Sequence, residues 1–166
     1  MSGHVNFEVL GCEQADETGM VSICSLTVNG ALFGLETRTV REVLGECVVQ
    51  KIPLAPGYVA GVISNRGEML TTLSLRALLG FEERVGRSAV MVLDGADGEE
   101  RFGLLVDAVG GVMRVSAAAL KANPSTLSER NRTLFDGAYT LPDGLMVRLD
   151  GKRLLPARLR ESEIFS

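Results

Sequence analysis

The sequence predicts a mainly β protein assembled from two related small modules, each a set of short strands with a short helix. Three observations carry this. Glycine is abundant, 19 of 166 residues, among many Val, Leu and Ile, while aromatics are only 5%; that composition suits short strands and tight turns. Hairpin signatures recur between apolar runs, at Asn29-Gly30, Asn65-Arg66-Gly67 and Pro142-Asp143-Gly144. Finally, the chain repeats itself. Phe33-Gly34-Leu35 is followed by Val40, Val43 and Leu44, and 69 positions later Phe102-Gly103-Leu104 is followed by Val109, Val112 and Met113. Each half then runs from a strand into a Leu-Leu segment, Leu75-Arg76-Ala77-Leu78-Leu79 and Lys152-Arg153-Leu154-Leu155. A module of this size has a marginal core alone. Two packed together bury more and leave a groove at their junction, a common place for a binding site.

In chain order, residues 1–18 read as a flexible tail. Met20 to Val28 and Ala31 to Leu35 form the first hairpin. Thr39 and Glu42 have capping-box spacing, so a short helical turn is expected there, with Val40, Val43 and Leu44 on one face and Gly45 ending it. Cys47-Val48-Val49 is expected to continue as a strand, interrupted by Pro53 and Pro56. Met69 to Leu73 is a strand leading into a helix capped by Ser74 and stopped by Gly80. Arg87 to Leu93, Arg101 to Asp107 and Val109 to Val115 are strands, the first two joined by a turn at Asp94 to Gly98. Residues 117–120 make at most one helical turn, and 122–133 a polar connection. Phe135 to Leu141 and Leu145 to Leu149 form a hairpin. Asp150 caps a helix through Leu155, and Pro156 starts a further turn.

Composition excludes several functions. With 46% apolar residues the chain can build a real core, and 17 basic against 21 acidic residues give a net charge of -4, the wrong sign for a nucleic-acid module. Cys12, Cys24 and Cys47 form no C-x-x-C, so neither a zinc ribbon nor a disulfide scaffold is expected. The N-terminus lacks a basic start and an apolar core, and no run approaches the ~18 apolar residues of a membrane span. A cytoplasmic protein that meets membranes only through partners is expected. The single histidine, His4, lies in the tail, so no Ser-His-Asp or Cys-His centre is expected. Neither clustered metal ligands nor a phosphate-binding glycine loop is present, and no cofactor is expected.

The stretch around which the rest is organised is Pro56 to Gly67. Gly61 interrupts an apolar run, which marks a bulge or a close approach of another backbone or a partner. Arg66 ends the run and needs an acidic or carbonyl partner if it is buried. Val40, Glu42, Gly61, Arg66, Gly103, Val109 and Val112 are the candidate site. Taken singly, the valines read as core, the glycines as turn or bulge and Arg66 as a surface charge. Taken together, the valine pairs occupy equivalent places in both modules and could face one another across the junction.

The ordered set F-G-L-x4-V-x-E-V (33–43), V-A-G-V-I-S-N-R-G (59–67), L-S-L-R (73–76) and F-G-L-L-V-D-A-V (102–109) resembles the CheW family of chemotaxis coupling proteins over about residues 20–160. The resemblance implies two intertwined five-stranded β-barrels of SH3-like type with a few short helices. It implies one domain from 19 to 166, with subdomains near 30–85 and 86–150 that exchange strands. It implies no enzyme activity, but a cytoplasmic adaptor bridging the cytoplasmic tip of chemoreceptors to the regulatory domain of a CheA-type histidine kinase. By position, Val40, Gly61, Gly103, Val109 and Val112 would form the receptor groove, and Glu42 would pair with Arg66. Where the family has Leu this chain has Asn65, and where it commonly has Pro and Asp this chain has Thr71 and Ser74. A coupling protein of an alternative chemosensory system, controlling pili or surface motility, fits equally, as does a degenerate domain that binds only the kinase or other copies of itself. A small-ligand or oligosaccharide-binding barrel, or an enzyme using the same groove, would instead need several converging polar groups.

Overall fold

In this computed structural model the described residues, 5–6, 18–84, 86–95 and 100–161, form eleven strands in two sheets. The strands are β1 (Val5–Asn6), β2 (Met20–Val28), β3 (Ala31–Glu36), β4 (Val40–Leu44), β5 (Val59–Asn65), β6 (Glu68–Ser74), β7 (Ala89–Leu93), β8 (Phe102–Val106), β9 (Ala108–Ser116), β10 (Phe135–Leu141) and β11 (Gly144–Leu149). Three short helices accompany them: α1 (Leu75–Leu78), α2 (Glu129–Leu134) and α3 (Pro156–Glu161). The first sheet has the order β1-β4-β7-β8-β6-β5 and the second β10-β11-β3-β2-β9.

Apart from β1, the two sheets follow one pattern. β8 pairs antiparallel with β7 and parallel with β6, and β3 pairs antiparallel with β2 and parallel with β11. The Phe-Gly-Leu repeats therefore occupy the same central strand, one in each sheet. Gly34 and Gly103 are both buried, and a methyl on either would collide with side chains of neighbouring strands. The repeat also explains the interleaving. The first half of the sequence gives β2 and β3 to the second sheet, then crosses to supply β4, β5 and β6 to the first. The second half gives β7 and β8 to the first sheet and crosses to supply β9, β10 and β11 to the second.

Among the described residues, neither sheet closes into a barrel by a continuous ladder. Each curls until one bridge joins its ends, Gln50 to Val62 in the first sheet and Lys121 to Ala138 in the second. Both bridges lie beside a bulged glycine, Gly61 and Gly137, where the β5–β6 and β10–β11 registers shift. The closed barrels implied by the resemblance are thus SH3-like sheets held shut at single points.

Each crossing between sheets is tied down by charge. At the first, Arg148 meets Glu36 at 3.3 Å and also contacts Asp136. At the second, Asp107 accepts from Arg76 at 2.8 and 3.2 Å and from the Asn29 backbone N–H at 2.8 Å. One core lies between the sheets. Leu26, Phe33 and Leu35 of the second sheet and Leu73, Met91, Leu93, Phe102 and Leu104 of the first belong to a single buried cluster. Burial pushes the Cys24 thiol in this core up to about 11, so it carries almost no thiolate at neutral pH. Cys24 should resist thiol reagents at pH about 8 until the protein is denatured, which mass spectrometry of labelled peptides would show.

The hairpin turns form as the sequence predicts. Asn29-Gly30 has φ of 53° and 78°, and Arg66-Gly67 has 50° and 79°, the paired positive values of a type I′ turn. α1 starts where expected, with Ser74 Oγ accepting from the Ala77 N–H at 3.2 Å and Gly80 at φ 85° after its end. Other expectations fail. Val40 to Leu44 is a strand with only a 3-10 turn before it at Thr37–Thr39, because pairing with β7 outweighs a weak local helical signal. Residues 47–49 are not a strand; only Gln50 pairs, through its bridge. The polar connection contains α2, whose cap is Ser128 Oγ accepting from the Asn131 N–H. Asp150 organises a turn, not a helix, and the helix begins at Pro156. A two-residue strand, β1, occurs within the expected tail; the rest of residues 1–17, including His4 and Cys12, and most of the Asp94–Gly98 turn lie outside the described residues.

Candidate functional site

The best-defined polar feature is built on β4. Glu42 is only 6% exposed, and a buried carboxylate must be satisfied by neighbours. The β5–β6 turn does this twice. Asn65 Nδ2 donates to Oε1 at 2.7 Å, and Arg66 Nη2 donates to Oε2 at 3.2 Å. Asn65, standing where the family pattern has Leu, is therefore the nearer partner of Glu42, which gives that departure a physical role. Arg66 occupies a left-handed backbone position, which costs a residue other than glycine roughly 1–2 kcal/mol. Its side chain remains 62% exposed. A buried anion thus holds a surface guanidinium at the tip of a tight turn.

The remaining candidate residues separate into two groups. Val40 is buried in the central core, and Val109 packs against the same cluster from β9, so the equivalent valines meet a common core, each from its own sheet. Gly61 has φ 150°, and a methyl placed there would lie 2.1 Å from the Gln50 carbonyl oxygen; its glycine serves the bridge that shuts the first sheet. Gly103 is pressed between Thr72 and Val90, 2.8 and 2.9 Å from an added methyl. These four shape the scaffold. Val112, by contrast, is 41% exposed in the middle of β9, and with Arg66 it reaches solvent.

Sequence reasoning missed two apolar surfaces. The first is a cleft of about 570 Å³ lined by Ile52, Pro56, Tyr58, Val59, Leu155 and Arg160 among others, so both halves of the sequence contribute to it. Burial raises the Tyr58 hydroxyl above its ordinary pKa, and Arg160 partly offsets this. Beside the cleft's Ile52, Leu54 is fully exposed at φ 62°. The second surface is formed by Val48 and Met69, 84% and 58% exposed, around a depression that also includes Cys47, Gln50 and Val62. The signal available was Ile52-Pro53-Leu54-Ala55-Pro56, apolar residues set among prolines that prevent regular pairing. Among the described residues, no three His, Cys, Asp or Glu side chains are placed to hold a metal ion.

The chain has clear relatives. It is 27% identical over 130 residues to "Chemotaxis protein CheW" of Rhizobium meliloti, covering 78% of this chain and 84% of that one. It is 33% identical over 94 residues to "Protein FrzA" of Myxococcus xanthus, covering 55% of this chain and 58% of that one. The fold matches the crystal structure of the scaffolding protein TtCheW from Thermoanaerobacter tengcongensis with a TM-score of 0.70 at 22% identity, over 81% of this chain and 97% of that one. The family model of the CheW-like domain matches residues 22–158, and the chain belongs to that family.

Proposed function

We propose that the chain is a non-enzymatic adaptor that couples the cytoplasmic tips of chemoreceptors to the regulatory domain of a CheA-type histidine kinase. It would work in the cytoplasm and reach receptor arrays only through these partners. Family membership and relatives carrying the name chemotaxis protein support this reading. The observation that carries it is the surface itself. Val48, Leu54, Met69 and Val112 are exposed apolar residues, and Arg66 is an exposed guanidinium held by a buried carboxylate. That is a surface for gripping a protein, not for converging polar groups on a small molecule. An apolar stripe on a receptor-tip helix would lie on such a surface, with Arg66 at its rim. Among the described residues no helix is long and apolar enough to cross a membrane.

The relation to Protein FrzA, under another name and from another organism, supports a second reading, a coupling protein of an alternative chemosensory system. The core test is association with separate receptor-tip and kinase-regulatory fragments. Arg66→Ala and Val112→Glu should each weaken at least one association about tenfold while both variants remain folded. Full affinity of both variants for both fragments would overturn the site assignment. Binding to the kinase fragment alone would favour the degenerate reading.

A further inference from the structure

Among the described residues, three positions other than glycine take left-handed backbone angles: Asn29 at φ 53°, Leu54 at 62° and Arg66 at 50°. Two of them have a local reason. Asn visits this region more readily than most residues, and the Asn29 side-chain oxygen also accepts from Arg76 at 3.3 Å. Arg66 is held at its turn by the buried Glu42 carboxylate. Leu54 has neither. Leucine carries no polar group to bond its own backbone, and its side chain here is fully exposed, so no burial offsets the strain. A single exposed leucine is ordinary. An exposed leucine held in a backbone conformation that leucine rarely adopts is not. The turn that holds it is firmly built. The Ala55 N–H donates to the Ile52 carbonyl at 3.4 Å, and Pro53 precedes Leu54, the order of a type II turn whose third position calls for Gly or Asn. On one side the Gln50–Val62 bridge closes the stem. On the other, the Val59 N–H donates to the Pro56 carbonyl at 2.9 Å and the Ser74 N–H to the Tyr58 carbonyl at 2.8 Å. Leu54 is therefore a fixed apolar knob, and beside it Ile52, Ala55 and Pro56 line the cleft of about 570 Å³.

We infer, resting on the adaptor function proposed above, that Leu54 is the anchor of the contact with the kinase regulatory domain: it enters an apolar pocket of that domain, and a side chain of the domain enters the neighbouring cleft. Shape decides between the two partners. A knob beside a hole calls for a partner with a hole beside a knob, and buried anchors of an interface sit in such well-packed pockets. Concave pockets belong to globular domains. A receptor-tip helix offers ridges and shallow grooves along one stripe and is suited to lying in a groove; it has no pocket to receive a projecting turn. The fixed turn adds affinity because a mobile loop would have to be ordered on binding. Leu54 thus serves the contact at the expense of the fold.

Leu54→Asn separates the two effects in the full chain, because Asn accepts the left-handed angle while removing the knob. Its urea midpoint should equal or exceed that of wild type. Its affinity for the kinase-regulatory fragment should fall about tenfold or more, and its affinity for the receptor-tip fragment should stay within about twofold. Leu54→Met keeps an apolar knob and should retain kinase affinity within about threefold. A Leu54→Asn midpoint clearly below wild type would show that the leucine serves the fold, and would overturn the inference. So would a Leu54→Met loss as large as that of Leu54→Asn. Undiminished kinase binding by Leu54→Asn, or a loss confined to the receptor-tip fragment, would overturn it and leave the adaptor function standing. A wild-type chain that binds neither fragment would overturn both.

Discussion

Gly61→Ala is expected to lower stability by about 3 kcal/mol, from backbone strain of about 1–3 kcal/mol and overpacking of similar size. Its φ of 150° belongs to a region L side chains rarely adopt, and the added methyl would lie 2.1 Å from the backbone oxygen of Gln50. A backbone carbonyl cannot swing aside as a long side chain can. Relief requires breaking the Gln50–Val62 bridge, whose two hydrogen bonds are 2.9 and 2.8 Å long. Gly137 repeats the arrangement against the Lys121 carbonyl at 2.5 Å, so Gly137→Ala should behave alike. Gly57, where nothing lies within 4 Å of an added methyl, provides the neutral control. Urea denaturation of the three variants decides the matter: a Gly61→Ala midpoint equal to that of Gly57→Ala would show that the bridge contributes nothing. The result bears on function too. A Gly61 variant that loses partner binding would do so through the scaffold, unlike Arg66→Ala or Val112→Glu.

Asp107→Ala is expected to cost about as much, roughly 3 kcal/mol, because it strands a mostly buried guanidinium. Arg76 and Asp107 are only 14% and 12% exposed, and Arg76 also donates to the Glu82 carbonyl at 2.7 Å. Burial alone would raise the Asp107 carboxyl, but the Arg76 hydrogen bonds and charge, the Asn29 backbone N–H and the nearby Arg84 outweigh it and hold the pKa below its ordinary value. The folded state therefore favours the ionised form. Its contribution is fully present above the unfolded-state pKa of about 4 and fades as pH falls below that, through the lowered folded value. Wild-type stability should show this acid loss, and Asp107→Asn should be less stable at neutral pH but flatter below pH about 4. Parallel pH profiles for the two proteins would rule out this carboxylate as the source.

Much of this was legible in the residues. Asn29-Gly30 and Arg66-Gly67 announce their turns because positive φ needs particular residues, a purely local requirement. The Phe-Gly-Leu repeat reported the duplication because each copy fills the same crowded place at the centre of a sheet. Gly61 was readable as a bulge for the same steric reason. What was hidden depends on distant pairing. Val40 to Leu44 carries apolar spacing compatible with one helical face, and only the neighbouring β7 makes it a strand. The crossings at 37–39 and 107 leave no local mark, so the assignment of strands to sheets could not be read from the chain. α2 was obscured by its polar composition, although Ser128 followed by Glu129 is a helix-start signal. Of the candidate site, the Glu42–Arg66 pair came from the family pattern. The partnership of Asn65, and the exposed Val48, Leu54 and Met69, emerged only with the fold.

The interleaving of the two halves governs how the chain assembles. Residues 20–79, severed from the remainder, would hold two strands of one sheet and three of the other, each fragment facing empty space where its complement belongs. Such a piece is stable only in the company of its twin. The two halves are thus interdependent: neither can complete its sheets before the other has arrived.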